Sequence, residues 1–88
     1  MKIYIVGSVG SGKTTLARQL ANHYNIPHFE TDNFVWTRRP EGDIRNSEEK
    51  RDDLLKDAIR LEQWIIEGVH IQWTDSALEA ADHILFLD

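Results

Sequence analysis

The sequence predicts an α/β fold with a parallel sheet, because short apolar runs alternate with segments of helical periodicity along the chain. A Gly-rich loop follows the first apolar run and leads directly into the first helical segment. With 88 residues and no linker, repeat or low-complexity tract, residues 1–88 are expected to form one domain. The predicted strands are Lys2 to Val6, His28 to Glu30, Trp64 to Ile66 leading into Glu67-Gly68, and His83 to Leu87.

Three segments between these runs have apolar residues at helical spacing. They are Thr14 to Tyr24, about Ser47 to Glu62, and Thr74 to Ala81. Asn25 is the predicted C-terminal stop of the first helix, and Asn46 with Glu49 resembles a capping box at the start of the second. The segment from Trp36 to Asn46 contains Pro40 and Gly42 and is predicted to be an exposed connection.

The charge balance and the hydropathy pattern exclude several classes of protein. Fifteen acidic against ten basic residues give a net charge of −5, so the average field repels polyanions and nucleic-acid binding is not expected. No apolar run approaches the ~20 residues that span a bilayer, and no signal-peptide pattern is present. We therefore expect a cytoplasmic protein with no membrane partner. The absence of cysteine excludes disulfides and thiolate metal sites.

The Gly-rich loop carries the strongest functional signal. Gly7, Gly12, Lys13 and Thr14 fill every fixed position of the motif G-x-x-x-x-G-K-[ST] between a predicted strand and a predicted helix. In that setting backbone N–H groups and a helix N-terminus converge on an anion. A nucleoside triphosphate, ATP, with Mg²⁺ is therefore the expected ligand. The residues expected to bind it are Gly7, Ser8, Val9, Gly10, Ser11, Gly12, Lys13, Thr14 and Thr15.

Two residues of the motif have separate chemical tasks. Lys13 supplies a mobile cation to the β and γ phosphates and is a candidate catalytic residue, and the Thr14 hydroxyl is a hard oxygen ligand for Mg²⁺. A carboxylate should complete the metal site, and both Glu67 and Asp88 follow an apolar strand. Asp88 matches better by pattern alone. Glu67 is preferred, because the strand after the second crossover commonly lies beside the strand that precedes the loop.

Other residues are candidates for the acceptor side of the predicted crevice. Asp32 follows the second strand and could accept a proton from a substrate hydroxyl as a catalytic base, or it could be the N-cap of the segment from Asn33 to Trp36. His70 lies close after Glu67-Gly68 and is a candidate substrate contact. Trp36 could stack on a base and Trp73 could line the pocket, although packing is the commoner role of such residues. The remaining histidines, His23, His28 and His83, have no metal-ligand spacing and are interpreted as structural.

Four stretches of the chain resemble a known group. They are Lys2 to Thr15, Ile26-Pro27-His28 leading to Thr31-Asp32-Asn33, Gly42 to Arg45, and Trp64 to His70. With these stretches the whole chain is similar to P-loop kinase-like proteins related to adenylate kinase, a class of P-loop NTPases. It is most similar to those known as DNA topology modulation proteins. The resemblance implies a sheet order of 2-3-1-4, and it places Glu67-Gly68 in the magnesium-binding role.

The resemblance also implies an activity. Arg38, Arg39 and Arg45 lie where the acceptor-binding segment of these proteins falls, so they are candidates for holding an anionic acceptor. The implied function is ATP-dependent phosphoryl transfer to a small-molecule or nucleotide acceptor. A nucleotide-binding regulator or DNA-associated protein without kinase activity is the alternative.

Members of this group are longer than the chain. The resemblance therefore implies an N-terminal portion of a kinase-like domain that lacks a fifth strand, an arginine-bearing lid and the adenine loop. Phosphate affinity is then expected to survive where efficient phosphoryl transfer does not. Because the last strand, Ile84 to Leu87, would be left at an edge, exposed apolar surface and self-association are also expected.

Overall fold

The computed structural model of the protein describes residues 1–8, 10–69 and 72–87. Its centre is a four-stranded parallel sheet in the order β2-β5-β1-β6. These strands are β1 (Lys2–Gly7), β2 (His28–Glu30), β5 (Trp64–Gly68) and β6 (His83–Leu87). Counted along the chain without the two short strands described below, the order is 2-3-1-4, which confirms the predicted topology.

Two of the three predicted helices have a recognisable capping residue at one end. Helix α1 (Lys13–Tyr24) ends at Asn25, which has the left-handed φ of 57° and donates its N–H to Ala21, so the predicted stop is confirmed. Helix α3 (Glu48–Ile59) begins after Ser47, whose Oγ accepts a hydrogen bond of 3.1 Å from Lys50 N. Helix α4 spans Asp75–Ala80.

The predicted capping box at Asn46 is therefore wrong. Asn46 instead donates its Nδ2 to Phe34 O and accepts from Thr37 Oγ1, so its side chain fastens the preceding segment. The second predicted helix is also shorter than expected and stops at Ile59. Trp64 Nε1 donates to Ile59 O at 3.3 Å, and this hydrogen bond links the end of α3 to the first residue of β5.

The segment after β2 is more ordered than the predicted connection. A short helix, α2 (Asp32–Val35), leads into an antiparallel pair, β3 (Trp36–Thr37) and β4 (Ile44–Arg45). The turn between the two strands includes Gly42 at φ 133°, a conformation that disfavours side chains with a Cβ. Asp32 lies inside α2 as its first residue, after Thr31, so the alternative of Asp32 as an N-cap is wrong.

Each face of the sheet has its own hydrophobic core. Alternation along β1 places Ile3 and Ile5 with Ala17 of α1 on one face, while Tyr4 packs with Leu55 of α3 on the other. Burial of such side chains contributes ~1.5–3 kcal/mol each to folding. The central strands β1 and β5 therefore lie between the two cores.

Strand β6 forms one edge of the sheet and leaves apolar surface exposed, as expected. Phe86 is 75% exposed, and Ile84 and Leu85 are also exposed. Self-association through this surface stays a prediction. In the described part of the chain, no helix has the length and apolar character that crossing a membrane requires.

Candidate nucleotide-binding site

The loop between β1 and α1 has the backbone that a phosphate cradle needs. Gly10 and Gly12 have φ of 81° and 86°, in the left-handed region that glycine enters without strain. A Cβ on Gly7 would lie 2.6 Å from Ser11 Oγ and 2.9 Å from Leu87 O, so only glycine fits there. Ser11 Oγ is buried and has no hydrogen-bond partner among the described residues. Val9 lies outside the described residues.

Lys13 and Thr14 begin α1, at the end of the loop. Lys13 Nζ donates to Ser8 O at 3.2 Å, so the ammonium group is held at the loop. Thr14 is half-buried, and the next residue, Thr15, is exposed. The positive end of the α1 dipole lies at the same place.

A cavity of about 130 Å³ opens at the carboxyl ends of β2 and β5, beside the start of α1. It brings together five of the predicted site residues, namely Lys13, Thr14, Asp32, Arg38 and Glu67. Glu30, Thr31, Gly68 and Val69 complete its lining. Residues from three separate parts of the sequence meet here, because the carboxyl ends of parallel strands share one edge of the sheet.

Glu67 is a buried carboxylate at the centre of this arrangement. It is 3% exposed, and its Oε2 has no hydrogen-bond partner among the described residues. The residue after β2 is hydrogen-bonded to the β5 backbone at this position, because Thr31 N donates to Glu67 O at 2.9 Å. A Cβ on Gly68 would overlap the Thr31 side chain, so the two strand ends approach as closely as glycine allows.

This donor set fits Mg²⁺. The buried Glu67 carboxylate and the Thr14 hydroxyl line the same cavity, and both are hard oxygen donors of the kind that Mg²⁺ takes in proteins. The described residues contain no group of three His, Cys, Asp or Glu side chains suited to a metal. Mg²⁺ commonly takes one or two protein carboxylates together with phosphate and water, so a single carboxylate with a hydroxyl is compatible with it. The competing candidate, Asp88, lies outside the described residues.

Arg38 is held at the cavity by two side chains. Its Nε donates to Asn33 Oδ1 at 3.0 Å, and its Nη1 donates to Asp43 Oδ2 at 2.6 Å. The Arg38 guanidinium accordingly lowers the pKa of the Asp43 carboxyl below its usual value. Neither Asn33 nor Asp43 was among the predicted site residues. Asp43 stands in the Gly42 to Arg45 stretch that carries the resemblance, which is the signal that could have indicated it.

Arg39 and Arg45, two other predicted acceptor residues, do not line this cavity. Arg39 is 4.0 Å from Glu41 in an exposed pair, and the guanidinium of Arg45 lies over the Trp36 ring at 5.7 Å. His70 lies outside the described residues. Trp73 packs edge to face on Phe34, and Arg51 lies over its ring, so packing is the role that the structure gives it.

Comparison with known proteins identifies the family. A family model described as an AAA domain matches residues 2–88. The chain belongs to this family. An uncharacterized protein of Bacillus subtilis (strain 168), YqaC, is 33% identical over 89 residues, which are 97% of this chain and 47% of that protein. Shikimate kinase of Blochmanniella floridana is 38% identical over 65 residues, which are 61% of this chain and 35% of that enzyme.

Solved structures show the same fold. The crystal structure of shikimate kinase from Aquifex aeolicus has a TM-score of 0.70 and 23% identity, with 100% of this chain and 60% of that chain covered. A gluconokinase from Sinorhizobium meliloti has a TM-score of 0.52 and 20% identity, covering 97% of this chain and 54% of that one. The predicted kinase-like P-loop fold is thereby confirmed, whereas the narrower resemblance to DNA topology modulation proteins stays a prediction. The AAA-domain chain spans about half the length of YqaC and less of the shikimate kinase.

Proposed function

We propose that the protein binds ATP with Mg²⁺ at the cavity between α1, β2 and β5, and transfers a phosphoryl group to the hydroxyl of a small-molecule acceptor. The observation that carries the proposal is the meeting of Lys13, Thr14, Asp32 and Glu67 in one cavity. The names of the relatives agree with phosphoryl transfer, since a shikimate kinase and a cytidylate kinase are among them. A P-loop by itself indicates only nucleotide binding. Asp32 is the residue that indicates an acceptor hydroxyl as well.

The phosphate side is built on the loop and on the start of α1. The glycine conformations allow phosphate oxygens to approach the backbone N–H groups, and the twelve-residue helix α1 adds the positive end of its dipole. The Lys13 ammonium group donates to Ser8 O of the loop at 3.2 Å, and it would bind a phosphate oxygen there. These groups act by position and charge, which stabilise the transition state of phosphoryl transfer.

The metal side consists of the Thr14 hydroxyl and the Glu67 carboxylate. Mg²⁺, when bound, neutralises the charge that develops on the transferring phosphoryl group. Thr14 would hold the ion directly, and Glu67 would hold it directly or through water. The burial of Glu67 favours this role, because a cation compensates the desolvated carboxylate.

The acceptor side is formed by Asp32 and Arg38. Asp32 is exposed in the first turn of α2 and lines the cavity, so its carboxylate is placed to accept the proton of an acceptor hydroxyl. The hydroxyl oxygen then forms its bond to phosphorus as the bond to the ADP leaving group breaks. Arg38, which Asn33 and Asp43 hold in place, supplies a cation for an anionic group on the acceptor.

Three substitutions test the proposal by isothermal titration with Mg-ATP and by an assay of ATP against nucleosides, nucleoside monophosphates and small alcohols. Lys13→Ala should weaken ATP binding by ~10 to 100-fold, because a charged hydrogen bond to phosphate is lost. Asp32→Asn should leave ATP binding intact and abolish transfer to the acceptor. Glu67→Gln should weaken Mg²⁺-dependent binding by ~10 to 100-fold and more than Asp88→Asn does.

Lys56→Ala is the matched control for Lys13→Ala, because Lys56 is an exposed lysine on α3. It should leave ATP binding unchanged. A folded Lys13→Ala protein with wild-type ATP affinity would contradict the assignment of the loop. If Asp88→Asn has the larger effect of the two carboxylate substitutions, the metal role belongs to the end of β6.

A further inference from the structure

His28 and Glu67 form a buried polar pair next to the proposed metal site. In the parallel pairing of β2 with β5, His28 is opposite Ile65 and Glu30 is opposite Glu67, so His28 and Glu67 project from the same face of the sheet. His28 Nε2 lies 3.8 Å from Glu67 Oε2, and the two side chains are 16% and 4% exposed. Neither atom has a hydrogen-bond partner among the described residues.

Two buried polar atoms without hydrogen-bond partners are disfavoured unless they bond to each other or to a ligand. At 3.8 Å the two atoms are beyond the ~3.2 Å limit of an N–H···O bond, so one of the side chains has to rotate to make the contact. Glu30, the other carboxylate on this face, already accepts a hydrogen bond from Asn33 Nδ2 at 3.3 Å. Glu67 Oε2 has no such partner in the described part of the chain, and we therefore take it as the acceptor for the imidazole.

His28 also lines a second polar cavity. This cavity has a volume of about 200 Å³ and includes Arg18, Glu30 and Asn33 in its lining. Glu30 lines both cavities. His28 is not among the residues that line the nucleotide cavity, although it lies 3.8 Å from Glu67, which does line it.

We propose that His28 is a positioning residue for Glu67. With its proton on Nε2, the imidazole donates to Glu67 Oε2 and fixes the carboxylate, which leaves Oε1 for the magnesium site that Thr14 shares. This inference rests on the proposed function, because it takes Glu67 as the metal carboxylate. Carboxylates that ligate metals are held by such hydrogen bonds, and loss of the holding group costs ~10 to 100-fold in metal affinity. The role differs from the structural interpretation that the spacing of the histidines suggests.

The test compares a variant that removes the donor with one that keeps it. His28→Met removes the Nε2–H, whereas His28→Gln places an amide N–H near the same position. The full chain is saturated with ADP, and Mn²⁺ binding is measured by electron paramagnetic resonance. His28→Met should lose ~10-fold or more in Mn²⁺ affinity, and His28→Gln should restore most of it. ADP binding in the presence of EDTA should be unaffected in both variants.

His83→Gln is the matched control, since His83 is an exposed histidine on β6. It should leave Mn²⁺ affinity unchanged. Equal losses in His28→Met and His28→Gln would indicate a packing role and overturn the proposal. An unchanged affinity in His28→Met would overturn it as well.

A second measurement needs no nucleotide. Thermal unfolding of His28→Met, Glu67→Gln and the double variant forms a double-mutant cycle. The two shifts in Tm should be non-additive if the side chains are in contact, and additive shifts would overturn the contact. If the Tm shifts are non-additive but His28→Met keeps wild-type Mn²⁺ affinity, the positioning role is overturned and the contact between the two side chains is not. A wild-type protein that binds neither ADP nor Mn²⁺-ADP overturns the proposed function, and the role of His28 with it.

Discussion

Strands β5 and β6 pair with the same strand, β1, from opposite sides, and they differ sharply in burial. Both are parallel to β1, and both are largely apolar. All residues of β5 are buried, whereas in β6 only Leu87 is as much as half-buried. The difference follows from position, because β5 has a strand on each side and packed side chains on both faces, while β6 lies at the edge.

A precise site is better supported on β5 than on β6. The carboxylate of Glu67 and the glycine at position 68 belong to β5, whose residues cannot move without disturbing both cores. Sites on such rigid elements keep their geometry better than sites on exposed segments. Strand β6 borders the same loop through Leu87 O and Gly7, yet its exposed face provides no comparable support.

The largest expected difference between the two strands is in the free energy of unfolding. Trp64→Ala in β5 should cost ~3–5 kcal/mol, because a fully buried ring and its hydrogen bond to Ile59 O are lost. Phe86→Ala in β6 should change stability by less than ~0.5 kcal/mol, because the ring is mostly exposed. Urea unfolding followed by far-UV circular dichroism measures both. Similar losses in the two variants would contradict the assigned burial.

The next largest loss of stability is expected at the end of β5. Gly68→Ala should cost ~1–3 kcal/mol, because its Cβ would overlap the Thr31 side chain and force the ends of β2 and β5 apart. The same unfolding experiment measures this loss. Thr31→Ala makes room for the Cβ, so the double variant should be more stable than the sum of the two single losses indicates. Strict additivity would show that the overlap is not the cause.

A smaller effect concerns the pH dependence of the core between the two strands. Tyr4 on β1 is paired with Ile66 of β5 and Ile84 of β6, and burial raises its pKa although a hydrogen bond with Thr74 acts in the opposite direction. Because the folded pKa is raised, this contribution to stability is complete below the unfolded value of ~10 and is lost as pH rises through the folded pKa.

The loss from Tyr4 can reach a slope of at most about 1.4 kcal/mol per pH unit. Denaturant unfolding between neutral pH and the alkaline range should show this slope in the wild type and a shallower one in Tyr4→Phe. Lysines and other tyrosines titrate in both proteins, so the difference between the two curves isolates Tyr4. Identical slopes would contradict the burial of a neutral phenol at this position.

The smallest expected change in stability accompanies a change in association. Phe86→Glu should lower self-association measured by sedimentation velocity at micromolar concentration, because it puts a charge on the exposed edge strand. Stability should change by less than ~0.5 kcal/mol. Tyr24→Glu is the matched control, since Tyr24 is an exposed aromatic residue on α1. An equal effect of both substitutions would indicate nonspecific association rather than pairing through β6.

Much of the phosphate side could be predicted from the sequence by itself. The loop is one contiguous segment, and the strand before it, the glycine conformations and the start of α1 depend on neighbouring residues. The order of the four main strands was also predictable, although only through the resemblance to P-loop kinases. Local rules placed the stop of α1 at Asn25 correctly and failed at Asn46, where contacts with Phe34 and Thr37 compete with capping.

The rest was decided by tertiary structure, because it depends on residues distant in the sequence that the sheet order brings together. Pattern alone favoured Asp88 over Glu67, whereas the burial of Glu67 at the cavity that Thr14 also lines depends on β5 lying between β1 and β2. The proximity of His28 and Glu67 also depends on tertiary structure. The two residues are separated by 39 positions and come together only through the register of β2 with β5. Sequence spacing specifies local backbone chemistry, whereas strand order and register specify which side chains share a site.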